Sequence, residues 1–369
     1  MTLSSSLLPL FAALLFGTGA AAAQAVPRTD TPRAGTLRVT FEPVVTTWER
    51  EFTDTGRLRI GANLPAPVFV RAERRVTPLM AEFGISNRVS LGVRLPLVRV
   101  RVQAGYHRDS TGAADSGSAA LDSLLAASTY LFAPVRNTPR RLRYFPGDAE
   151  LQAKYLLFVA PSYRTAVTLV VRFPTGHLES PHDLFDISTG DHQTDVEVQV
   201  AQELTLFDRL WLNALVRVAR QQPGQRERRV RDQRPGPQGD WLVPRAATVV
   251  LDWDPGDYMA IDVSPMYRFS PNFGAGFTAG YWTKKRDHYA YRSAADSSAV
   301  LNALGAQTPA RVLDAGTSER WLWLGVAVTY VGPDMEGSVS FEQTVTGSGG
   351  RVPAATVFRV LMRTSRWPF

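Results

Sequence analysis

The chain contains no cysteine, which excludes a disulfide framework and thiolate chemistry. Lysine is nearly missing as well. Lys154, Lys284 and Lys285 are the only three, so arginine supplies almost all the positive side chains behind a net charge of +7. Beyond residue 25 no apolar run reaches the ~18–20 residues that a membrane-crossing helix needs. The five histidines, His107, His177, His182, His192 and His288, form no H-E-x-x-H or comparable ligand pair on one element. A mean hydropathy of −0.12 decides nothing, because a soluble protein and a membrane barrel with alternating faces both average near zero. The pattern has to decide.

What is present begins with an export signal. Leu7 to Phe16 is an apolar run of h-region length, and Ala23-Gln24-Ala25 is an A-x-A cleavage site. The run is well short of a spanning helix. Residues 1–25 are therefore expected to be a cleaved signal peptide, with 26–35 a short periplasmic segment. Residues 1–25 carry no charged side chain, so the mature chain keeps the full charge.

From residue 36 onward strand-like segments recur, near 36–50, 70–85, 88–106, 148–159, 163–173, 193–206, 209–220, 257–270, 272–284, 318–331, 335–346 and 354–367. Each approaches or exceeds the ~9–11 residues of a tilted spanning strand. Their connections alternate. Ser86-Asn87-Arg88, Ala160-Pro161-Ser162, Phe207-Asp208-Arg209, Ser270-Pro271-Asn272 and Gly332-Pro333-Asp334 are tight and carry turn residues. Long polar stretches fall near 107–147, 174–192, 221–256 and 285–317, with shorter links near 51–69 and 347–353. A soluble sandwich has no reason to sort its loops this way, whereas a membrane barrel puts short turns in the periplasm and long loops outside.

Period-two patterning agrees. Val167, Leu169, Val171 and Phe173 share one face, and Val196, Val198 and Val200 oppose Asp195, Glu197 and Gln199. One strand changes phase: Val89, Leu91, Val93 and Leu95 are odd, while Val98, Val100 and Val102 are even, so a bulge or bend is expected at Pro96. Tyr106, Tyr155, Trp211, Tyr267, Phe269, Tyr281, Trp282, Trp321, Trp323, Tyr330 and Trp367 lie near strand ends, where interfacial girdles form. Arg94, Arg99, Arg101, Arg172, Arg217, Arg359 and Arg363, with Glu197 and Glu342, fall on the expected lumen faces. Two readings follow: an anion-favouring interior, or arginines locked to Glu197, Glu203 and Glu342 in a narrow filled barrel.

The external loops are less orderly. Leu121, Leu124 and Leu125, and the Ala299–Leu304 stretch, have helical spacing and suit short helices at the barrel mouth, as a cap, an inward plug or plain loop decoration. Residues 221–240, with the run Arg226 to Arg231, read as mobile and solvated, or as bridged to anionic lipopolysaccharide, in preference to a nucleic-acid site. His177, His182, Asp183, Asp186, Asp191 and His192 crowd one loop with no strand to fix them, so they read as solvated residues before a metal site. His107 with Ser110 has the wrong spacing for an outer-membrane lipase pair, and Asp287-His288 lacks an Asp-Asp partner. No catalytic residue, metal or cofactor is assigned.

Two resemblances complete the reading. The ending Arg359 to Phe369 resembles the closing strand of bacterial outer-membrane barrels, whose terminal aromatic (here Phe369) is the signal for the barrel-assembly machinery. Pro368 puts Phe369 out of phase with Phe358. Val171-Arg172-Phe173-Pro174-Thr175-Gly176, then Gly190-Asp191 and Thr194-Asp195-Val196, resembles the outer-membrane transporter family called MetA-pathway of phenol degradation. Phe83 to Val93 with Leu95-Pro96, and Pro255-Gly256-Asp257 with Val263 to Arg268, extend the likeness. The resemblance implies a β-barrel passing hydrophobic or aromatic small molecules, with Pro174, Thr175, Gly176, Gly190, Asp191 and Asp195 as turn and loop-fixing residues. The expected architecture is an all-β, antiparallel transmembrane barrel of about twelve strands over 36–369. Its expected partners are outer-membrane lipid and lipopolysaccharide, the barrel-assembly machinery and a small-molecule solute, with no nucleic acid. A closed structural or adhesive barrel with ligand-binding loops is the alternative, and an outer-membrane enzyme a more distant one.

Overall fold

Alternating apolar and polar residues become two separate faces once the strands pair, and here the pairing runs full circle. The computed structural model describes residues 29–53, 56–62, 64, 68–106, 116–135, 144–232, 242–333, 335–349 and 352–364. The expected signal peptide, His107 and Phe369 lie outside the described residues. Twelve strands form the wall: β1 (Leu37–Phe41, continued by Val44–Trp48), β2 (Val68–Gly84), β3 (Val89–Tyr106), β4 (Ala149–Ala160), β5 (Tyr163–Phe173), β6 (Asp195–Leu206), β7 (Leu210–Gln221), β8 (Tyr258–Arg268), β9 (Phe273–Lys284), β10 (Glu319–Val331), β11 (Met335–Ser348) and β12 (Thr356–Thr364). Each is antiparallel to the next, and β12 returns to β1 with Val39 opposite Thr364 and Val44 opposite Arg359.

Five tight turns lie at one end. Phe207 and Asp208 both have positive φ (52° and 56°), the type I′ geometry whose twist matches that of the flanking strands. Around this end the outer surface carries Tyr155, Phe158, Tyr163, Tyr267, Phe269, Phe273 and Tyr330, with Phe273 and Tyr330 rings 5.1 Å apart. This is the periplasmic girdle. Of the five expected tryptophan members, the four among the described residues are different. Trp211, Trp282, Trp321 and Trp323 share the inward parity of Asn213, Thr278 and Ala327, so they belong to the lumen wall; Trp367 lies outside the described residues.

Leu79, Leu95, Leu151, Val218, Val326 and Phe341 point outward and are 50 to 52 % exposed. An apolar belt of this kind around a closed barrel is stable only in lipid. No described helix is long and apolar enough to cross a membrane, and the strands do the crossing. The protein is a barrel of the bacterial outer membrane.

The expected bulge at Pro96 is absent. β2 and β3 pair without a register shift from Gly84 opposite Ser90 to Val68 opposite Tyr106. Even residues of β3 face inward throughout. What changes is polarity: Leu91, Val93 and Leu95 are apolar and outside, whereas Val98, Val100 and Val102 are apolar and inside. Pro78 and Pro96 stand opposite each other at the switch. Their missing N–H groups disturb nothing, because β1 is interrupted at Glu42–Pro43 beside Pro78, and the β3–β4 ladder ends at Arg94 opposite Glu150. Arg99 and Arg101 are odd, so they stand on the outside of the barrel above the lipid belt, contrary to the lumen placement expected for them.

The inward apolar face above Pro96 is covered by the long loops. Helix α1 (Ser116–Ala126) sets Leu121 and Leu125 against Val68, Val70, Val98, Val100 and Val102, with Phe132 and Phe185 alongside. A three-stranded sheet of Gly224–Arg229, Thr248–Asp254 and His288–Tyr291 packs Leu251 and Trp253 against Val300 of helix α2 (Ala294–Leu304), which Ser293 caps and Gly305 closes. The Arg226–Arg231 run is thus part strand, not a solvated tract. Arg226 and Arg228 bind the Glu179 carboxylate at 3.0 and 2.6 Å, and Arg226 stacks on Trp253.

Phe341→Arg, mid-belt on β11, is expected to lower stability by about 2–4 kcal/mol in denaturant unfolding from lipid vesicles. A change within ~0.5 kcal/mol would remove Phe341 from the hydrocarbon.

Candidate functional site in the barrel interior

Direct cross-strand neighbours on the inner wall alternate in charge over four strands and end on an amide on the fifth. Arg94 on β3 lies opposite Glu150 on β4, Glu150 opposite Arg172 on β5, Arg172 opposite Asp195 on β6, and Asp195 opposite Gln221 on β7. Arg94 Nη1 is 3.0 Å from Glu150 Oε1, Arg172 Nε is 3.3 Å from the same oxygen, and Arg172 Nη1 is 2.7 Å from Asp195 Oδ2. Gln221 Nε2 donates to Asp195 Oδ1 at 3.4 Å. Buried cations are tolerated only when matched like this.

Arg217, Arg359 and Arg363, also expected in the lumen, are matched too, although their contact partners are not the carboxylates expected; the inward Arg74 donates to Thr189 O at 3.2 Å in place of a carboxylate. Arg217 faces Asp262 at 3.5 Å, Arg359 binds Glu42 at 2.5 Å, and Arg363 binds Glu336. Glu197 instead accepts from the Tyr258 hydroxyl and from Gln199 at 2.5 Å. Glu342 accepts from Ser340 at 3.2 Å.

Above this ladder the Pro-Thr-Gly and Gly-Asp residues meet at one carboxylate. Asp148 Oδ1 accepts from Gly176 N at 2.8 Å, and its Oδ2 from Asp191 N at 2.6 Å. Thr175 Oγ1 donates to Gly147 O at 2.6 Å and accepts from Ala149 N at 2.9 Å. Gly176 and Gly190 are required by close approach and not by positive φ. A Cβ on Gly176 would stand 2.6 Å from Gly190 Cα, and one on Gly190 would strike the Asp148 carboxylate. The amide-capping residue is therefore Asp148, which no sequence motif marked. A parallel tie joins Asp287 to Gly256 N at 2.9 Å and to Trp253 Nε1 at 3.1 Å.

His177, His182, Asp183, Asp186, Asp191 and His192 do not converge. Asp186 accepts from Ser180 N, His192 Nδ1 faces Gly176 O, and His182 Nδ1 lies 2.8 Å from Arg229 Nη2. Arg229, a charged donor, requires a neutral acceptor there, so His182 Nδ1 is unprotonated. Burial first, then Arg229 and Arg245, hold the His182 pKa below its usual 6.5 against the pull of Glu227.

The remaining arc of wall is aromatic over small residues. Gly274, Gly276, Thr278 and Gly280 of β9 face inward beside Gly325 of β10. Trp323 lies across Gly280, where any Cβ would collide with its ring. Trp282 and Trp321 rings are 3.9 Å apart, Tyr258 is 5.9 Å from Trp282, and Arg268 stacks 3.8 Å over Trp211. Asn213, the Thr278 hydroxyl and Trp323 Nε1 are buried without a hydrogen-bond partner among the described residues.

At the periplasmic end residues 29–35 cross the lumen. Thr29 Oγ1 donates to Glu203 Oε2 of β6 at 2.7 Å, while Asp30 binds Arg38 of β1 at 2.6 Å and faces Arg363 of β12 at 3.4 Å. β6 and β12 are opposite walls of a twelve-stranded ring, so two consecutive residues span the floor. Lys154 Nζ reaches Asp30 O at 3.4 Å, and Gly35 N donates to Gly84 O at 2.8 Å. Burial alone would raise the Asp30 carboxyl; Arg363, Arg38 and Lys154 together hold it at about 2.

This wall defines a closed twelve-stranded outer-membrane barrel with a charge-paired, partly aromatic interior. The same fold is found in the COG4313 outer membrane channel from Pseudomonas putida F1, with 10 % sequence identity, 93 % of this chain and 100 % of that one covered, and a TM-score of 0.57. At that identity the likeness concerns fold alone. The TodX deltaS2S3 mutant monoaromatic hydrocarbon channel aligns at 10 % identity over 91 % of both chains with a TM-score of 0.38. The NanC porin aligns at 10 % over 88 % of this chain and 100 % of that one with a TM-score of 0.35. Both scores are too low for argument. No protein-family model and no curated protein matches the chain.

Two outcomes are expected. Asp148→Ala, which strands two amides, should cost about 1–3 kcal/mol for each and open the 174–192 loop to added protease on intact cells; unchanged cleavage would refute the clamp. For His182, a lowered folded pKa means that its contribution is complete above 6.5 and lost as pH falls through the lower folded value. Amide protection at 182–187 and 229–231, taken relative to the intrinsic exchange rate at each pH, should therefore fall from pH 7 to 5, and His182→Gln should remove that dependence.

Proposed function

We propose that the protein is a non-enzymatic outer-membrane channel for small aromatic solutes carrying a polar or charged group. The observation behind this reading is the two-sided inner wall. Arg94, Glu150, Arg172 and Asp195 line one arc, and Trp282, Trp321 and Trp323 over glycines line the other. A flat ring can slide along indoles set against small residues, while its polar group exchanges partners along the ladder and with the buried Asn213, Thr278 and Trp323 groups. The resemblance to the MetA-pathway of phenol degradation transporters points to the same solute class. In this reading no residue is catalytic, Phe369 is the assembly signal, and lipid and the assembly machinery are the partners.

Matched arginines argue against an anion-attracting pore. A second reading, a closed barrel displaying binding loops, rests on the floor crossed by Thr29 and Asp30 and on the cap held by Arg226, Arg228 and Arg229.

In planar bilayers Asp30→Ala is expected to raise conductance several-fold over the native channel. In liposome swelling, an aromatic carboxylate should enter faster than a sugar of equal size, and Trp323→Ala should erase that preference. Absence of conductance in both native protein and Asp30→Ala would favour the closed barrel, and equal entry of both solutes would refute the aromatic path.

A further inference from the structure

The polarity switch at Pro78 and Pro96 leaves a charged exterior whose purpose the lumen does not explain. Above the switch the outward residues of β2 and β3 are Arg71, Glu73 and Arg75, and Arg99, Arg101 and Gln103. Arg75 and Arg99 are direct cross-strand partners. Two like charges so placed repel each other, unless an anion lies between or beside them. Local carboxylates resolve this only on the β2 side. Glu73 Oε1 binds Arg75 at 2.7 Å, and the exposed Glu49 is 3.7 Å from Arg71. Arg99 and Arg101 have no ion-pair partner among the described residues, and the buried Arg99 Nε has no hydrogen-bond partner there either.

Height identifies what could sit on them. Leu97 and Leu95, on the same outward face, lie two and four residues below Arg99. At about 3.3 Å per residue along a strand tilted by roughly 40°, the arginine positions stand ~5–10 Å above the leucines that meet acyl chains. That is the depth of the headgroups of the outer leaflet. The two short strands that follow β1, Arg50–Thr53 and Gly56–Arg59, repeat the arrangement, with Arg50 opposite Arg59, both exposed. Guanidinium forks suit phosphate oxygens, and two forks side by side suit a phosphorylated sugar headgroup better than a single free ion.

We propose that the outward face of β2 and β3 above the lipid belt, centred on Arg75 and Arg99 and flanked by Arg71 and Arg101, binds the phosphate groups of an outer-leaflet phosphoglycolipid. This site does not depend on what passes through the lumen. Its competitor is simpler: β3 above Val98 has no strand partner on its β4 side among the described residues, and charge on such an edge discourages strand addition.

The test uses the full mature protein in detergent with three probes: a bisphosphorylated acylated disaccharide lipid, its dephosphorylated form, and inorganic phosphate. Native mass spectrometry counts bound lipid, and heat-modifiable gel mobility confirms the folded barrel. Native protein should retain the bisphosphorylated lipid, and Arg75→Gln/Arg99→Gln should weaken retention at least tenfold. Should that pair fail to fold, the exposed Arg101→Gln should still weaken it about threefold. Arg220→Gln, outward near the top of β7, should leave it unchanged. Equal retention by native protein and the folded variants would overturn the site and leave edge protection as the explanation. So would equal retention of the dephosphorylated lipid, or full competition by millimolar inorganic phosphate.

Discussion

Directly opposed arginine and carboxylate side chains hold the interior together. In the run Arg94, Glu150, Arg172, Asp195 and Gln221, every pair is also a register pair of the barrel, so slipping any strand by one residue would turn a charge into lipid and strand its partner inside. Each error would cost several kcal/mol. The ladder therefore specifies register as much as it stabilises, which is the best-supported use of buried charge. It also provides the base on which the Asp148 clamp stands, since Glu150 follows Asp148 by two residues and Arg172 precedes Pro174 by two.

From that constraint the rest follows in order. With one arc given to paired charge, the opposite arc is free for tryptophan over glycine. The floor is crossed where a second set of cations, Arg38, Arg363 and Lys154, converges on Asp30. The cap closes where β2 and β3 turn their apolar face inward. Interior, floor and cap are thus three answers to one question: where an arginine-rich, lysine-poor chain can place its charges inside a membrane.

Much of this was legible in the residues. Strand positions, the sorting of long and short connections, and the outward rows such as Val167, Leu169 and Val171 followed from period-two patterning. Both loop helices showed in their leucine and alanine spacing. Other features were hidden for physical reasons. The apparent slip at Pro96 was a change of solvent, not of backbone phase, and a hydropathy pattern cannot tell the two apart. A tryptophan in a barrel strand suits either a girdle or a lumen, and only the small partner across the ladder, Gly280 beside Trp323, separates them. Arg217 finds Asp262, and Arg359 finds Glu42, because of register, which no local pattern reveals. Asp148 had no motif around it, while the Pro-Thr-Gly and Gly-Asp residues it binds were conspicuous. The 226–231 run looked solvated because its counter-charge, Glu179, lies in another loop.

Arg94, Arg172, Arg217, Arg359 and Arg363 are neutralised in place by carboxylates, so together they add no fixed excess of positive charge to the lumen. The most direct measurement is the zero-current potential of the reconstituted native channel, with every carboxylate in place, across a tenfold potassium chloride gradient. A potential near zero, or a mild preference for potassium, is the result this account predicts. A strong preference for chloride would contradict it, because it would mean that Arg94, Arg172, Arg217, Arg359 and Arg363 face the permeating ion unpaired.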